Sequence, residues 1–175
     1  DSESMLGFSA VAPSTGDTVV VPNGYTATPF LPWGEPMAST GPAWKADATN
    51  TAAEQEQQIG DNHDGMHFFG FNGNGTALGE RSDEGLLVMN HEYINLEYFY
   101  APGTDAANWL NPFTPEKARK AQAAHGVSIS HVRRNADGSW SHVKGSSFNR
   151  RIHGNTPLLI QGPAAGLTAM RTTAD

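Results

Sequence analysis

Hydrophobic positions along this chain fall in short clusters separated by turn residues, not in long helical stripes. Residues 1–16 are small and polar around one apolar island, MLGFSAV. The run VVV at 19–21 predicts a short β-branched strand, Pro22, Asn23 and Gly24 a turn, and residues 25–31 a second extended piece. Pro29, Pro32 and Pro36 lack the N–H that a ladder needs, which places this region at a sheet edge or in a loop. Residues 38–56 carry no strand period and read as a long surface loop. MHFFGF at 66–71 and LLVMNH at 86–91 predict strands, joined by a glycine-rich connection. Residues 95–111 are loop-like and aromatic.

One helix is predicted after that. Thr114 precedes Pro115 and Glu116, so it can cap the helix with proline in the first position; EKARKAQAAH has high helix propensity, and Gly126 can end it. A strand at 127–133, a turn at 135–138, a hairpin partner at 139–143 and an extended segment at 157–160 complete the pattern. No internal repeat has a firm period. The chain is mainly β with one short inserted helix, and a sandwich, a barrel or part of a propeller all fit.

Composition narrows this picture only a little. At 175 residues the chain suffices for one domain, and its 38% apolar share predicts a lean core. Nineteen glycines and eleven prolines are spread throughout, as expected for many turns. Eighteen acids against eleven bases leave a net charge of −7, which argues against nucleic acid or an anionic membrane as the partner. The same charge suits bound cations and plain solubility equally. There is no cysteine, hence no disulfide or thiolate ligand within these residues. No signal peptide and no apolar run near the roughly 20 residues of a membrane span are present. A chain beginning at Asp1 is compatible with removal of an export signal.

Two polar stretches carry the candidate chemistry: GDNHDG at 60–65 and NHE at 90–92. Both combine hard oxygen donors with histidine, a set suited to calcium or magnesium and, with imidazole, to iron or manganese. Neither is a local metal loop. An EF-hand register starting at Asp61 puts Met66 where glycine is needed and Asn72 where glutamate is needed. His91 and Glu92 are followed by Tyr93, Ile94 and Asn95, so the H-E-x-x-H zinc signature fails too. His63 and His67 are four apart, but Gly65 and the following aromatics argue against a helix there. In an extended chain Asn62 and Asp64 share one face, with Asp61 and His63 on the other; Asn90 and Glu92 share a face opposite His91. Two strand ends side by side would then offer Asn62, Asp64, Asn90 and Glu92 to one cavity. The competing reading makes them turn residues bonding their own backbone. The apolar GLLV run before NHE favours a partner for the cluster it ends in.

Other candidates are weaker. One member of each pair Arg133–Arg134 and Arg150–Arg151 has the chemistry of a phosphate ligand, but solvated surface arginine is the commoner role. His125 and His153 beside glycines read as structural or exposed, and Trp33, Trp44, Trp109 and Trp140 as packing. No nucleotide loop or nucleophile elbow occurs.

Taken in order, GYTATPFLPWGEPM (24–37), QIGDNHDGMHFF (58–69), GLLVMNHEYIN (85–95), HGVSI (125–129), SSFNRRI (146–152) and GPAAG (162–166) resemble the amino-terminal part of the PhoX-type bacterial alkaline phosphatases. The resemblance runs from about residue 6 to the last residue. It implies part of a β-propeller enzyme, exported by the twin-arginine route to the periplasm or beyond, which hydrolyses phosphomonoesters at a Ca2+ and Fe3+ centre without an organic cofactor. A metal role carries over to Glu92 first, then to Asp64, Asn62 and Asn90, the last three being equally suited to orienting ligands. The catalytic nucleophile is not identified.

The resemblance also implies what is missing. In the family the chain continues beyond the counterpart of Asp175, through a Cys–Glu pair that contributes to the iron site, and IHGNTPL after Arg151 is looser than the family pattern. The expectation is that residues 1–175 form an amino-terminal fragment of a single propeller phosphatase domain. Its partners would be the remainder of the same polypeptide and a phosphomonoester or phosphate. Alone it would leave open strand edges and be inactive. A calcium-stabilised β module binding a partner or glycan is the alternative of another class, and a propeller hydrolase of another ester, such as a lactone, is a third reading.

Overall fold

Strands form where apolar residues alternate and where a neighbour exists to pair with. The computed structural model describes residues 7–100 and 112–170, and the chain divides into two units, Asp1–Phe30 and Leu31–Asp175. In the first unit the turn at Asn23 and Gly24 forms as expected, closed by Tyr25 N–H donating to Pro22 O at 3.0 Å. Phe8 meets Tyr25 edge-to-face with ring centres 5.9 Å apart. The strand expected at 19–21 does not form: the segment is extended, but no strand of its own unit pairs with it, and Val19 and Val20 are exposed.

The second unit carries one antiparallel sheet of five strands: β1 (His63–Gly70), β2 (Glu84–His91), β3 (Gly126–Arg134), β4 (Trp140–His142) and β5 (Arg150–Ile152). β1, β2, β3 and β4 lie side by side in chain order, a meander, and β5 also pairs with β3. β4 takes residues 132–134 of β3 and β5 takes residues 127–129, so two short strands share one edge of β3. Between them Asn149 stands in for a strand residue. Its Oδ1 accepts from His131 N–H at 2.7 Å, and its Nδ2 donates to Val143 O and Met37 O. The sheet is open, as expected.

Strand β5 is absent from the sequence expectations, whereas the segment at 157–160 is exposed and unpaired. The helix count is also corrected. Besides the expected α3 (Pro115–Ala124), the described residues include two single turns, α1 (Ala52–Gln55) and α2 (Leu96–Phe99). α1 interrupts the loop expected at 38–56. Thr51 and Glu54 form a reciprocal capping box, and Glu116 of α3 accepts from Ala52 N–H at 2.6 Å. α3 begins as expected, with Thr114 Oγ1 accepting from Lys117 N–H and Pro115 in the first turn.

The apolar core is lean and lies beside the helices. Ile94, Phe99, Tyr100 and Ala124 form its buried cluster, with Trp33, Leu96 and Ala121 packed against it. Trp33 stacks on Phe99 at 5.1 Å and donates its Nε1–H to Gln55 Oε1. Trp140 packs edge-on against Phe68; Trp109 falls outside the described residues. Under the sheet the interior is polar: Gln58, His91, Ser128 and Ser130 are all fully buried or nearly so.

Candidate functional site

The two polar motifs meet at one end of the β1–β2 ladder. His63 pairs with His91, and Met66 with Met89. Asp64 and Gly65 therefore stand opposite the single residue Asn90, which is a β-bulge. Beyond the bulge Glu92 N–H donates to Asn62 O at 3.3 Å, so the ladder reaches both motifs. The juxtaposition of strand ends expected from the sequence is present, and His91 is buried between exposed Asn90 and Glu92 as alternation requires, but the first motif does not alternate. Asn62 adopts the left-handed conformation, with φ 43°, and the bulge follows it. Alternation fails because it needs an unbroken extended chain.

Asp61 is buried and serves the backbone. Its carboxylate accepts from Asn95 N–H at 2.7 Å and from Asn62 N–H at 2.8 Å, while its own N–H donates to Ala124 O at the end of α3. Gly60 lies where any Cβ would run into Ala124 O and the His91 ring, so only glycine lets the loop lie this close to both.

His91 is the buried pivot of the pair. Its Nδ1 faces the Asp61 carbonyl at 3.1 Å, and a carbonyl can only accept, so Nδ1 carries the proton. Nε2 then accepts from the Ser128 hydroxyl at 2.8 Å. Burial first, and then the charge of Arg151, push the imidazole down to about 3, which keeps this neutral tautomer. The Ser–His–carbonyl array looks like an activated nucleophile, yet Ser128 is 0% exposed and no substrate reaches its oxygen. His63 crosses His91 edge-on at 5.0 Å and donates Nε2–H to Leu31 O at 2.7 Å.

The four residues expected to face a cation differ in burial. Asp64, Asn90 and Glu92 are exposed, and their side chains make no hydrogen bond or ion pair among the described residues. Asn62 is half-buried, and its side-chain Nδ2 is fully buried with no hydrogen-bond partner among the described residues. Rotating that amide by half a turn puts its oxygen in the same place, so an orphaned amide here suits a hard cation or a donor. Among the described residues, no three His, Cys, Asp or Glu side chains come together as a metal-holding group.

Three of the four arginines are exposed, as the sequence reading expected, and one is not. Arg133 is held by Glu84, and Arg134 and Arg150 are exposed. Arg151 is no solvated surface residue. All five of its N–H groups point at backbone carbonyls: Gln58, Val127, Ile152, Ala123 and His125. Burial without a carboxylate pulls it down to about 10. His125 and His153 are structural, as expected: one bonds Ala121 O, and the other accepts from Asn155 N–H.

With this geometry in place, comparison with known proteins is informative. A family model described as alkaline phosphatase PhoX matches residues 6–175. The chain belongs to the PhoX alkaline phosphatase family. The solved structure of Pseudomonas fluorescens PhoX in complex with vanadate, a transition state analogue, is 43% identical and matches with a TM-score of 0.82. The match covers 97% of this chain and 27% of that one. This PhoX-family chain therefore spans about a quarter of the length of the Pseudomonas protein. No curated protein sequence matches it. No helix among the described residues is long and apolar enough to cross a membrane.

Three residues of the site have roles that the sequence reading did not assign. His63 and His91 were read only as parts of their motifs, and their facing positions follow from the β1–β2 register. Arg151 stood out only as part of an RR pair, and nothing local signalled its backbone role, because its five acceptors come from several separate segments.

Proposed function

We propose that this chain is part of a phosphomonoesterase whose metal centre lies beside the joined ends of β1 and β2. The observation that carries the reading is the 43% identity to a PhoX enzyme captured with a transition state analogue. Vanadate mimics the five-coordinate phosphorus of in-line phosphoryl transfer, so the ligand of the related structure points to that reaction class. The fold is then read as part of a β-propeller, with the open edge of the sheet covered by further polypeptide. Export by the twin-arginine route to the periplasm or beyond belongs to the same reading.

The donors of this chain fit the family's calcium better than they fit its iron. Glu92 and Asp64 supply two carboxylates without other partners among the described residues, and Asn62 and Asn90 supply amide oxygens. Calcium takes six to eight such oxygens, so further ligands must come from elsewhere. Iron takes carboxylate and imidazole, and the buried His91 ring beside these donors already has both nitrogens engaged, by Asp61 O and Ser128 Oγ. When bound, the cations neutralise the phosphoryl oxygens as charge gathers on them and hold the attacking oxygen in line. The chain's own work is to hold donors still. His91 and Asp61 fix the backbone behind Asn62, and the bulge places Asp64 and Gly65 against Asn90.

The test is hydrolysis of an aryl phosphate by the complete PhoX chain carrying this sequence, with elemental analysis of the same sample. Vanadate-sensitive turnover with calcium and iron bound is expected, and residues 1–175 alone should not turn over. Calcium without iron, and no affinity for phosphate, would return the protein to the class of binding modules. Turnover of a lactone in place of phosphate esters would move it to another hydrolase class.

A further inference from the structure

We propose that Arg151 is the positioning residue of this site: it fixes the 60–65 loop against the end of α3, and so sets the distance between the two polar motifs. This rests on the phosphatase reading for its kinetic consequence, but its structural part stands on geometry alone. A guanidinium has five N–H donors, and in Arg151 each one faces a backbone carbonyl. Nε–H goes to Gln58 O at 2.8 Å. Nη1 serves Val127 O at 2.8 Å and Ile152 O at 3.4 Å, and Nη2 serves Ala123 O at 2.6 Å and His125 O at 3.1 Å. An arginine so engaged has no donor left for a phosphate, although an RR pair in a phosphatase invites that role.

The five carbonyls are the supports of the loop. Ala123 and His125 lie at the C-terminal end of α3, where carbonyls lack helical partners and a cation is favoured. The carbonyl between them, Ala124 O, accepts the Asp61 N–H at 3.2 Å. Gln58, on the other approach, is three residues before Asp61. Arg151 thus grips the loop from its entrance and from the shelf beneath it. Asp61 then holds Asn95 and faces His91, and Asn62 O accepts from Glu92 N–H. Val127 and Ile152 anchor the same guanidinium to the paired strands β3 and β5. Lysine keeps the charge but offers three donors from a single point and cannot span these carbonyls.

The test combines amide hydrogen exchange with kinetics in the complete PhoX chain. In the unaltered protein the Asp61 and Glu92 amides should be as protected as the ladder amides of Leu86 and Phe69. Exchange of Asp61 at the rate of an open loop overturns the proposal before any variant is made. Arg151→Lys should speed exchange of Asp61 and Glu92 by about tenfold or more and leave Leu86 and Phe69 unchanged. In kinetics, Arg151→Lys should lower kcat by about 10- to 100-fold per folded, metal-loaded molecule, with KM for an aryl phosphate within about twofold. A raised KM at unchanged kcat would mean that Arg151 binds phosphate directly. Wild-type kcat and KM in a merely less stable variant would mean a general packing role. Either result overturns the proposal. If the unaltered enzyme is inactive on phosphate esters, the phosphatase reading fails, while the exchange data still decide the positioning role.

Discussion

An acid with a histidine close by lies at each end of strand β2, and the two ends are treated in opposite ways. At its start Glu84 is buried, and its carboxylate is fully engaged: Arg133 donates twice, at 2.7 and 2.5 Å, Arg81 lies at 2.8 Å, and His131 Nε2 is 3.0 Å away. Just past its other end Glu92 is exposed with its side chain unpartnered among the described residues, next to an Asn62 whose buried amide is also unpaired. A carboxylate surrounded by cations is a tie between strands. One left open beside an orphaned amide, on a backbone held this firmly, is available to a ligand. Same residue type, opposite ends of one strand, different neighbours: one carboxylate is spent on the fold and the other is left open to solvent.

Acid should break the two ends in sequence, and this is the largest effect expected. The unfolded His91 takes its proton near 6.5, whereas the folded ring resists down to about 3 because it is buried and near Arg151. Its contribution to stability is therefore complete above pH 6.5 and is lost as pH falls from there toward 3. Glu84 is held below its usual 4.5, chiefly by the Arg133 hydrogen bond, so its contribution declines only at pH values below 4.5. Urea midpoints measured from pH 7 to pH 4 should fall throughout, and in His91→Gln the slope between pH 6.5 and 4.5 should flatten. An unchanged slope would show that the pivot is not the acid-labile end.

Gly60→Val is next. The added side chain meets Ala124 O and the His91 ring, an overpacking cost of about 3 kcal/mol, read as a lower urea midpoint. Glu84→Gln should cost about 2 kcal/mol, the usual worth of charge-assisted hydrogen bonds lost from a largely buried acceptor. Glu92→Gln and Asp64→Asn should be the smallest, within about 0.5 kcal/mol of the parent, since neither side chain supports the fold. A Glu92 variant as unstable as the Glu84 variant would erase the contrast between the ends.

What could be read in the sequence follows the range of the forces involved. Helix α3 was legible because its start is written locally, in Thr114, Pro115 and Glu116. β1, β2 and β3 were legible from apolar clusters long enough to show a period. α1 was also written locally, in the Thr51 to Glu54 capping box, but it is one turn long and sits in a stretch with no apolar period. β5 was not legible: Arg150, Arg151 and Ile152 become a strand only because the edge of β3 is there to pair with. In the site, the pairing of the two motifs was correctly expected, and so was the burial of His91 between exposed Asn90 and Glu92; the regular alternation of the first motif was not. Asn62 is left-handed and Asp64 and Gly65 form a bulge, and both interrupt the extended chain on which alternation depends. Arg151 is the extreme case, a residue whose role is set by carbonyls far apart in the sequence.

The central claim is that the joined ends of β1 and β2 present Glu92 to a cation. Metal content measured by elemental analysis on purified Glu92→Gln and unaltered complete PhoX chains tests it most directly. Calcium occupancy and vanadate-sensitive turnover should fall together in the variant while the urea midpoint stays where it was; full metal content in Glu92→Gln would contradict the account.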